Sequence, residues 1–233
     1  MTDPVPPAPD GPAEAPGARL LDLVQIMDTL RVSCPWDRQQ THESLLGYLL
    51  EEAYEAVDAI ESGDHAAMRE ELGDVLFQVY FHARVAAERP AADGGFTIDD
   101  VAGALAAKLI RRHPHVFGSV TVSSADEVNA NWEAIKQAER AAKAASGASG
   151  GGPPSVLDGV AFGQPALSLA AQLQRRAERA GIDVPASPDG AGSVGDELMA
   201  VVARARAAGL DPELELRAAA RRFADAVREQ ERR

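Results

Sequence analysis

The sequence has few of the residues that mark several large classes of protein. Cys34 is the single cysteine among 233 residues, which excludes an intrachain disulfide and any zinc site built from cysteines. No apolar run approaches the roughly 20 residues that a membrane-spanning helix needs. The amino-terminal stretch has neither the basic region nor the apolar region of a signal peptide. We therefore expect a cytoplasmic protein that does not associate with membranes.

Aromatic residues and positive charges are also scarce. Aromatics make up only 5% of a chain that is rich in alanine, which favours helix over sheet. The 23 Lys and Arg residues stand against 36 Asp and Glu residues, so the net charge is -13. An acidic surface repels polyanions, and this excludes general nucleic-acid binding. A small phosphorylated substrate remains compatible with this charge, because a metal ion and a few local cations can bind its phosphates.

Apolar residues recur at three- and four-residue steps through most of the chain, which predicts an all-α fold. Gly63 and Asp64 separate two of these segments, because glycine suits the end of one helix and aspartate the start of the next. The predicted amino-terminal helices cover about 18–33, 41–62, 64–89 and 97–112, and a fifth begins at Ser124. Three weaker helices follow at about 165–180, 194–208 and 212–231.

Carboxylates are concentrated on the second and third predicted helices. Glu52 and Glu55 are three residues apart, as are Glu71 and Asp74, so each pair lies on one face of its helix. If the two helices pack as an antiparallel hairpin, all four carboxylates converge on one groove. Such carboxylates repel one another, and an apolar setting makes their ionisation costly. A hard divalent cation such as Mg²⁺ relieves that repulsion and prefers oxygen ligands.

Two other interpretations of the acidic residues stay open. On a helical wheel, Glu52 and Glu55 border the apolar stripe, whereas Glu51 points away with the solvated acids. A solvated helical face therefore explains Glu51, but it does not explain Asp74, which lies within an apolar run and needs a partner. Ion pairs could also satisfy part of the cluster without a metal, and the candidate partners are Arg69 and Arg84.

A second group of candidates is basic. Lys108 and Arg112 are four residues apart on the fourth helix, and Lys136 follows Trp132 by four residues on the fifth. Cations near a helix carboxyl end are favourable with the helix dipole, so a purely structural role is open. If these cations lie within reach of the acidic groove, they would bind substrate phosphates. Trp132 is a candidate either for stacking a base or for the core.

The five histidines form no clear site in the sequence. None follows a glutamate by three residues, as di-iron bundles require, which counts against redox-active iron. A zinc role stays open for His113 and His115, which flank a proline in a predicted loop. Walker A, nucleophile-elbow and dinucleotide-binding motifs are all absent. The acidic groove is therefore the main candidate centre.

The carboxylates and their neighbours resemble the MazG-type nucleoside triphosphate pyrophosphohydrolases. Glu51-Glu52-x-x-Glu55 followed by Glu71-x-x-Asp74 is similar to the metal-binding signature of that family. The resemblance covers about residues 18 to 142. It includes the flanking blocks Cys34-Pro35-Trp36-Asp37 with Gln40-Thr41, Tyr48-x-Leu50, Glu70-Glu71-Leu72-Gly73-Asp74-x-Leu76-Phe77-Gln78 and Arg111-Arg112-His113-Pro114-His115-Val116-Phe117.

The resemblance implies a MazG-like, all-α helical bundle that is completed by dimerisation. It implies cleavage of NTP or dNTP between the α- and β-phosphates, giving the monophosphate and pyrophosphate and so cleaning the nucleotide pool. The cofactor would be Mg²⁺, with Mn²⁺ as a substitute, and Glu51 would support the ligands Glu52, Glu55, Glu71 and Asp74. The implied substrate-binding residues are Lys108, Arg112 and Lys136 at the phosphates and Trp132 in the nucleotide pocket.

The resemblance also implies the division of the chain. Residues 18–143 would form the catalytic domain, after a disordered leader at 1–17 and before a Gly/Ser/Pro linker at 144–164. Residues 165–233 would be a truncated, degenerate second copy, because Gly195-Asp196 is similar to Gly73-Asp74. The stretch from Asp183 to Val194 is rich in Pro, Gly and Ser where the carboxylate helix should lie. We therefore expect all activity in the first domain.

Two further functional hypotheses stay open at the level of sequence. One is a catalytically silent helical adaptor or regulator that retains the MazG fold. The other is a metal-dependent phosphohydrolase of different specificity, which releases orthophosphate. The complete set of four carboxylates favours an enzyme, because a scaffold gains nothing from an acid at Asp74 within an apolar run.

Overall fold

The computed structural model of the protein describes residues 15–124, 127–128, 131–132, 134–136, 138–139, 155–185 and 192–233. These residues contain helices, turns and loops but no strand, which confirms the all-α class. The helices are α1 Ala18–Ser33, α2 His42–Ser62, α3 His65–Ala86, α4 Ile98–Arg112, α5 Pro114–Phe117, α6 Ala166–Arg179, α7 Val194–Ala207 and α8 Pro212–Glu231. No helix in this part of the chain is both long enough and apolar enough to cross a membrane.

Some predicted segments fall outside the described residues. They include residues 1–14 of the predicted leader and residues 144–154 of the predicted linker. The predicted fifth helix is described in part, and its described residues between 127 and 139 are helical. Its predicted start is consistent with the structure, because the Ser124 hydroxyl accepts a hydrogen bond from the backbone N–H of Glu127 at 3.2 Å.

The α2–α3 hairpin is the element that positions the site. Gly63 ends α2 in the left-handed conformation with φ of 73°, which favours glycine. The Asp64 side chain then accepts hydrogen bonds from the backbone N–H groups of Ala66 and Ala67 and starts α3. With only two residues between them, the helices pack side by side in opposite directions. The sequence prediction of this helix break is confirmed.

The core of the first unit joins α1, α2 and α3. Phe81 of α3 is fully buried, and Leu45, Met27 and Tyr80 pack in the same cluster. Each large apolar side chain buried in this way contributes about 1.5–3 kcal/mol. The Tyr80 hydroxyl also donates a hydrogen bond to the backbone carbonyl of Leu20 at 2.9 Å. This contact fixes α1 against α3, and Ile98 at the start of α4 packs against the same cluster.

The apolar stripe predicted for α2 is wider than the face that the helix buries. The apolar stripe on the wheel contains Ala56, Leu50 and Ile60, of which Ala56 is buried whereas Leu50 and Ile60 are 58% and 54% exposed. The helix also buries Leu45 and Ala59. A helical wheel places residues by their angle around the helix axis and carries no information about how many neighbours cover each face. The exposed residues therefore form an apolar surface on α2.

Arg31 at the end of α1 fixes the loop that leads to α2. Its side chain is buried and makes two hydrogen bonds to the carboxylate of Glu88, at 2.7 and 2.9 Å. It also donates to the backbone carbonyls of Asp37 and Gln40. Hydrogen bonds to a charged group are among the stronger ones in proteins. Arg31 thus ties the loop between α1 and α2 to the end of α3.

The chain divides into two compact units, Met1–Lys136 and Gln137–Arg233. In the second unit, Ala170, Ala171 and Val202 form a small core between α6 and α7. Asp196 lies in the first turn of α7, where its carboxylate accepts a hydrogen bond from the backbone N–H of Ser193 at 2.9 Å. Asp74, by contrast, lies in the middle of α3. The structure therefore gives Asp196 the role of a helix cap.

Candidate metal centre

The facing sides of α2 and α3 bring three of the predicted carboxylates together. Glu52, Glu55 and Glu71 each offer a carboxylate oxygen, and these oxygens lie within 4.8 Å of one another. Glu52 and Glu71 are partly buried, whereas Glu55 is exposed. Because two of the residues come from α2 and the third from α3, the cluster depends on the packing of the hairpin. A loop or a single helix would not assemble it.

Asp74 belongs to the same electrostatic cluster. Partial burial raises the pKa of Glu52, and the next largest cause is the negative charge of Asp74. Partial burial also raises the pKa of Glu71, with further contributions from Glu55 and Asp74. Asp74 is itself partly buried, one turn after Glu71 on α3. Each of the four carboxylates thus interacts with carboxylates of the opposite helix.

Glu51 occupies a different position from these four residues. It is exposed, and it does not share the oxygen cluster formed by Glu52, Glu55 and Glu71. Its negative charge is the smallest of the causes that raise the pKa of Glu52. The structure therefore places Glu51 beside the cluster, where its charge adds to the negative potential without joining the three converging oxygens.

The carboxylate cluster fits a hard divalent cation. Arg84, which the sequence offered as a competing ion-pair partner, instead binds Asp28 and Glu88. The donors that converge are all carboxylate oxygens, the ligand type that Mg²⁺ prefers. Partial burial first, and the neighbouring carboxylates second, raise the pKa values of Glu52 and Glu71, so their ionised forms are unfavourable without a counter-ion. A bound cation would relieve this repulsion.

Three of the four predicted substrate-binding residues also come together. The ammonium nitrogen of Lys136 lies 4.1 Å from the ring centroid of Trp132, and the guanidinium carbon of Arg112 lies 5.8 Å from it. Trp132 is partly buried. Lys108 lies one turn before Arg112 and is exposed. Cations held over an aromatic ring are stabilised by its negative face, which helps to concentrate positive charge here.

Two of the histidines, for which the sequence indicated no clear site, contact each other in the structure. His42 and His82 lie with their Nδ1 atoms 2.9 Å apart and their ring planes nearly parallel. The ring centroids are 5.2 Å apart. This separation equals the distance between the two Nδ1 atoms plus the distance from each ring centre to its own Nδ1, so the two nitrogens point directly at each other. The pair connects the start of α2 with α3. Sequence spacing could not reveal it, because the contact depends on the register of the hairpin.

Gln78 is a second residue whose position the sequence did not explain. It is only 3% exposed, and its side-chain oxygen Oε1 is buried without a hydrogen-bond partner. Gln78 follows Asp74 by four residues on α3, so the two share a helix face. An apolar residue would be expected at a position so deeply buried. Two signals were available in the sequence: a glutamine within the apolar run of α3, and its place at the end of the Glu70–Gln78 block that resembles the MazG family.

Comparison with known proteins shows which family the chain belongs to. Residues 40–117 match the model of the MazG nucleotide pyrophosphohydrolase domain. The chain is 50% identical over 218 residues to an uncharacterised 26.1 kDa protein of Streptomyces cacaoi, covering 94% of this chain and 85% of that protein. It is 40% identical over 233 residues to the nucleoside triphosphate pyrophosphohydrolase/pyrophosphatase MazG of Thermotoga maritima. That match covers 90% of this chain and 84% of the Thermotoga protein.

A longer relative shows the same similarity over a smaller share of its length. The chain is 44% identical over 220 residues to the nucleoside triphosphate pyrophosphohydrolase of Mycolicibacterium smegmatis, covering 94% of this chain but 61% of that protein. The match to the Thermotoga protein, in contrast, extends over most of both chains. The chain belongs to the MazG nucleotide pyrophosphohydrolase family.

Proposed function

We propose that this protein is a Mg²⁺-dependent nucleoside triphosphate pyrophosphohydrolase that releases a nucleoside monophosphate and pyrophosphate. The observation that carries the proposal is the convergence of Glu52, Glu55 and Glu71 within 4.8 Å across two helices. Asp74 completes the set of ligands, and Glu51 adds negative charge beside it. The names of the Thermotoga and Mycolicibacterium relatives support the same reaction class. Mn²⁺ is the expected substitute cation, because it also accepts oxygen ligands.

Two groups of residues have different roles in binding the substrate. When bound, Mg²⁺ would neutralise phosphate charge and lower the pKa of water for attack on phosphorus. The four carboxylates would hold that cation, and a carboxylate with spare acceptor capacity would orient a water molecule. Arg112 and Lys136 bind phosphate oxygens beside Trp132, which lines the nucleotide pocket. Lys108, exposed one turn earlier, extends the same positive surface.

The products of the reaction test this proposal directly. The protein is incubated with individual NTPs and dNTPs and Mg²⁺, and the phosphorus products are identified by ³¹P NMR. Monophosphate with pyrophosphate is the expected result. Diphosphate with orthophosphate would replace the proposal by a phosphohydrolase of another specificity. Absence of turnover with every nucleotide would favour the catalytically silent adaptor.

A matched pair of variants connects the activity with the carboxylate cluster. Glu52→Gln removes one converging negative charge with almost no change of shape, and we expect turnover to fall at least about 100-fold. Glu61→Gln makes the same chemical change at an exposed position of the same helix. It should leave turnover unchanged. Equal activity of the two variants would place the reaction elsewhere in the protein.

We also propose that the protein forms a homodimer through α2. Leu46, Leu50 and Tyr54 lie four residues apart in series and are exposed, so they form an apolar ridge along the helix. Burying this ridge against a second copy would remove apolar surface from water. Light scattering should therefore give twice the mass of one chain, and Leu50→Glu should shift the mass towards the monomer. A wild-type monomer at all concentrations would contradict the proposal.

The second unit is proposed to be a structural remnant without a metal site. Among the described residues of that unit, no group of three converging His, Cys, Asp or Glu side chains occurs. Asp196, the residue similar to Asp74, is used as a helix cap. The catalytic domain would thus be residues 18–143, and residues 165–233 a degenerate second copy.

A further inference from the structure

One face of α3 carries a row of polar side chains that extends beyond the carboxylate cluster. Glu71, Asp74 and Gln78 are related by steps of three and four residues, so they lie one above the other along the helix. The row continues one turn further to His82. The first two residues belong to the candidate metal centre, whereas Gln78 is 3% exposed and has no assigned role.

The amide oxygen of Gln78 has no hydrogen-bond partner. Its Oε1 atom is buried, and no donor of the described protein reaches it. A buried acceptor without a donor destabilises the fold, because the bond that it made with water in the unfolded chain is lost. A leucine or methionine would fill the same volume without this penalty. The glutamine therefore indicates a donor that arrives with a ligand.

The direction of the side chain favours a ligand in the carboxylate cluster. In an α-helix, the Cα–Cβ bond tilts towards the amino terminus, and a long side chain covers the preceding turn. Helix geometry alone thus directs a side chain at position 78 towards the turn that holds Asp74. Mg²⁺ in proteins usually retains several water molecules, and these water molecules donate hydrogen bonds. They are the chemical type of donor that Gln78 Oε1 lacks.

We propose that Gln78 is a positioning residue, whose Oε1 accepts a hydrogen bond from the water held with Mg²⁺ in the Glu52–Glu55–Glu71–Asp74 cluster. The inference rests on the proposed metal-dependent function and adds a residue outside the four ligands. Hydrogen bonds of this kind fix the orientation of the groups around a metal and strengthen its binding. Gln78 acts through that water and does not itself touch the cation.

A purely structural explanation competes with this one. His82 Nε2 lies one turn further along the same face and is also buried without a partner. A single water molecule between Gln78 and His82 would satisfy both atoms without any metal. In that case, loss of the amide would affect His82 and leave metal binding unchanged. The experiment must therefore measure metal affinity and not activity alone.

Isothermal titration of Mg²⁺, without substrate, into the full-length protein tests the proposal. Gln78→Met keeps the volume and removes the acceptor, and we expect about 10- to 100-fold weaker binding. The melting temperature of the metal-free variant should equal or exceed that of the wild type. Gln78→Glu keeps an acceptor oxygen and should bind Mg²⁺ almost as well as the wild type. Gln25→Met, on the exposed side of α1, is the matched control.

The possible results separate this inference from the proposed function. Wild-type affinity in Gln78→Met, together with a changed titration of His82 by NMR, would establish the bridging water and overturn the inference. Loss of binding in both Gln78→Met and Gln78→Glu would also overturn it, because an acceptor alone would then not suffice. A wild-type protein that does not bind Mg²⁺ would overturn the proposed function as well.

Discussion

At the scale of single residues, the candidate centre is built from groups that are unfavourable for the metal-free fold. The pKa values of Glu52 and Glu71 are raised, first by partial burial and then by neighbouring carboxylates. Gln78 adds a buried acceptor without a donor. Natural proteins usually retain such groups where a ligand compensates for them. The stability of the metal-free protein should therefore increase when these groups are neutralised.

The first prediction concerns Glu52. A carboxylate whose folded pKa is raised stabilises the fold below its ordinary value of 4.5, and this contribution is lost as the pH rises through the folded pKa. At neutral pH, Glu52→Gln should therefore raise the melting temperature of the metal-free protein while it weakens Mg²⁺ binding. Thermal unfolding with chelator, at several pH values, measures the effect. An equal rise in Glu61→Gln would show that the change reflects net charge alone.

The second prediction concerns the His42–His82 pair. Burial lowers the pKa of His82 below 6.5, and the proximity of His42 adds to this effect. Because the folded pKa is lowered, the pair contributes fully to stability above pH 6.5. That contribution is lost as the pH falls from 6.5 through the folded pKa. The stability difference between wild type and His82→Phe should thus shrink on acidification.

The measurement for this second prediction is urea unfolding of both proteins between pH 8 and pH 5, at roughly half-unit steps around the ordinary histidine pKa. Comparing the two proteins at each pH cancels the contribution of the carboxylates, which both share. A stability difference that stays constant over the whole range would contradict the prediction, because it would mean that the pKa of His82 is the same in the folded and the unfolded protein.

At the scale of elements, the loop between α1 and α2 depends on one buried arginine. Arg31 donates to two backbone carbonyls of that loop and pairs with Glu88 beyond the end of α3. The same carboxylate of Glu88 also accepts from Arg84. The loop therefore has a fixed position although it contains little regular structure. The loop leads into the Thr41 cap that starts α2, whereas the two-residue turn at Gly63 and Asp64 sets the register of α2 against α3.

The third prediction follows from this arrangement. Arg31→Met should destabilise the protein by about 2–3 kcal/mol, because two carbonyls and Glu88 lose a charged donor. Chemical denaturation gives the free energy of unfolding. Arg19→Met is the matched control, because the Arg19–Asp22 pair is exposed and such pairs contribute at most about 1 kcal/mol. Similar losses in both variants would mean that burial of Arg31 adds nothing.

At the scale of the whole molecule, the chain contains two compact units with separate cores. The carboxylate cluster lies in the first unit, together with Arg112, Trp132 and Lys136. A unit with its own core is expected to fold without the rest of the chain. All of the residues proposed for catalysis and substrate binding therefore belong to one unit.

The fourth prediction is that residues 1–142 alone retain catalysis. The fragment should keep kcat/KM within about twofold of the full-length value, since no proposed site residue is removed. Steady-state assays of pyrophosphate release measure this. The double variant Glu52→Ala with Glu55→Ala, in the full-length chain, should be inactive. Residual pyrophosphate release by that variant would show that the second unit also contributes activity.

The sequence alone was sufficient for the features that depend on local structure. The helix period placed Glu52 with Glu55 and Glu71 with Asp74, and the glycine–aspartate break between α2 and α3 predicted a hairpin. Most caps and helix bounds followed in the same way, since they depend on hydrogen bonds between residues close in the chain. The prediction was wrong at His115, where the short helix α5 replaces the predicted loop. The acidic cluster could therefore be predicted before any tertiary contact was known.

Only the tertiary structure decided which residues meet across helices and which stay exposed. The His42–His82 pair, the Arg31–Glu88 pair and the buried oxygen of Gln78 all depend on the register between helices. The apolar character of Leu50 was evident from the sequence, whereas its exposure was not. The physical reason is that helix periodicity is a local property, while burial depends on neighbours that are distant in the chain.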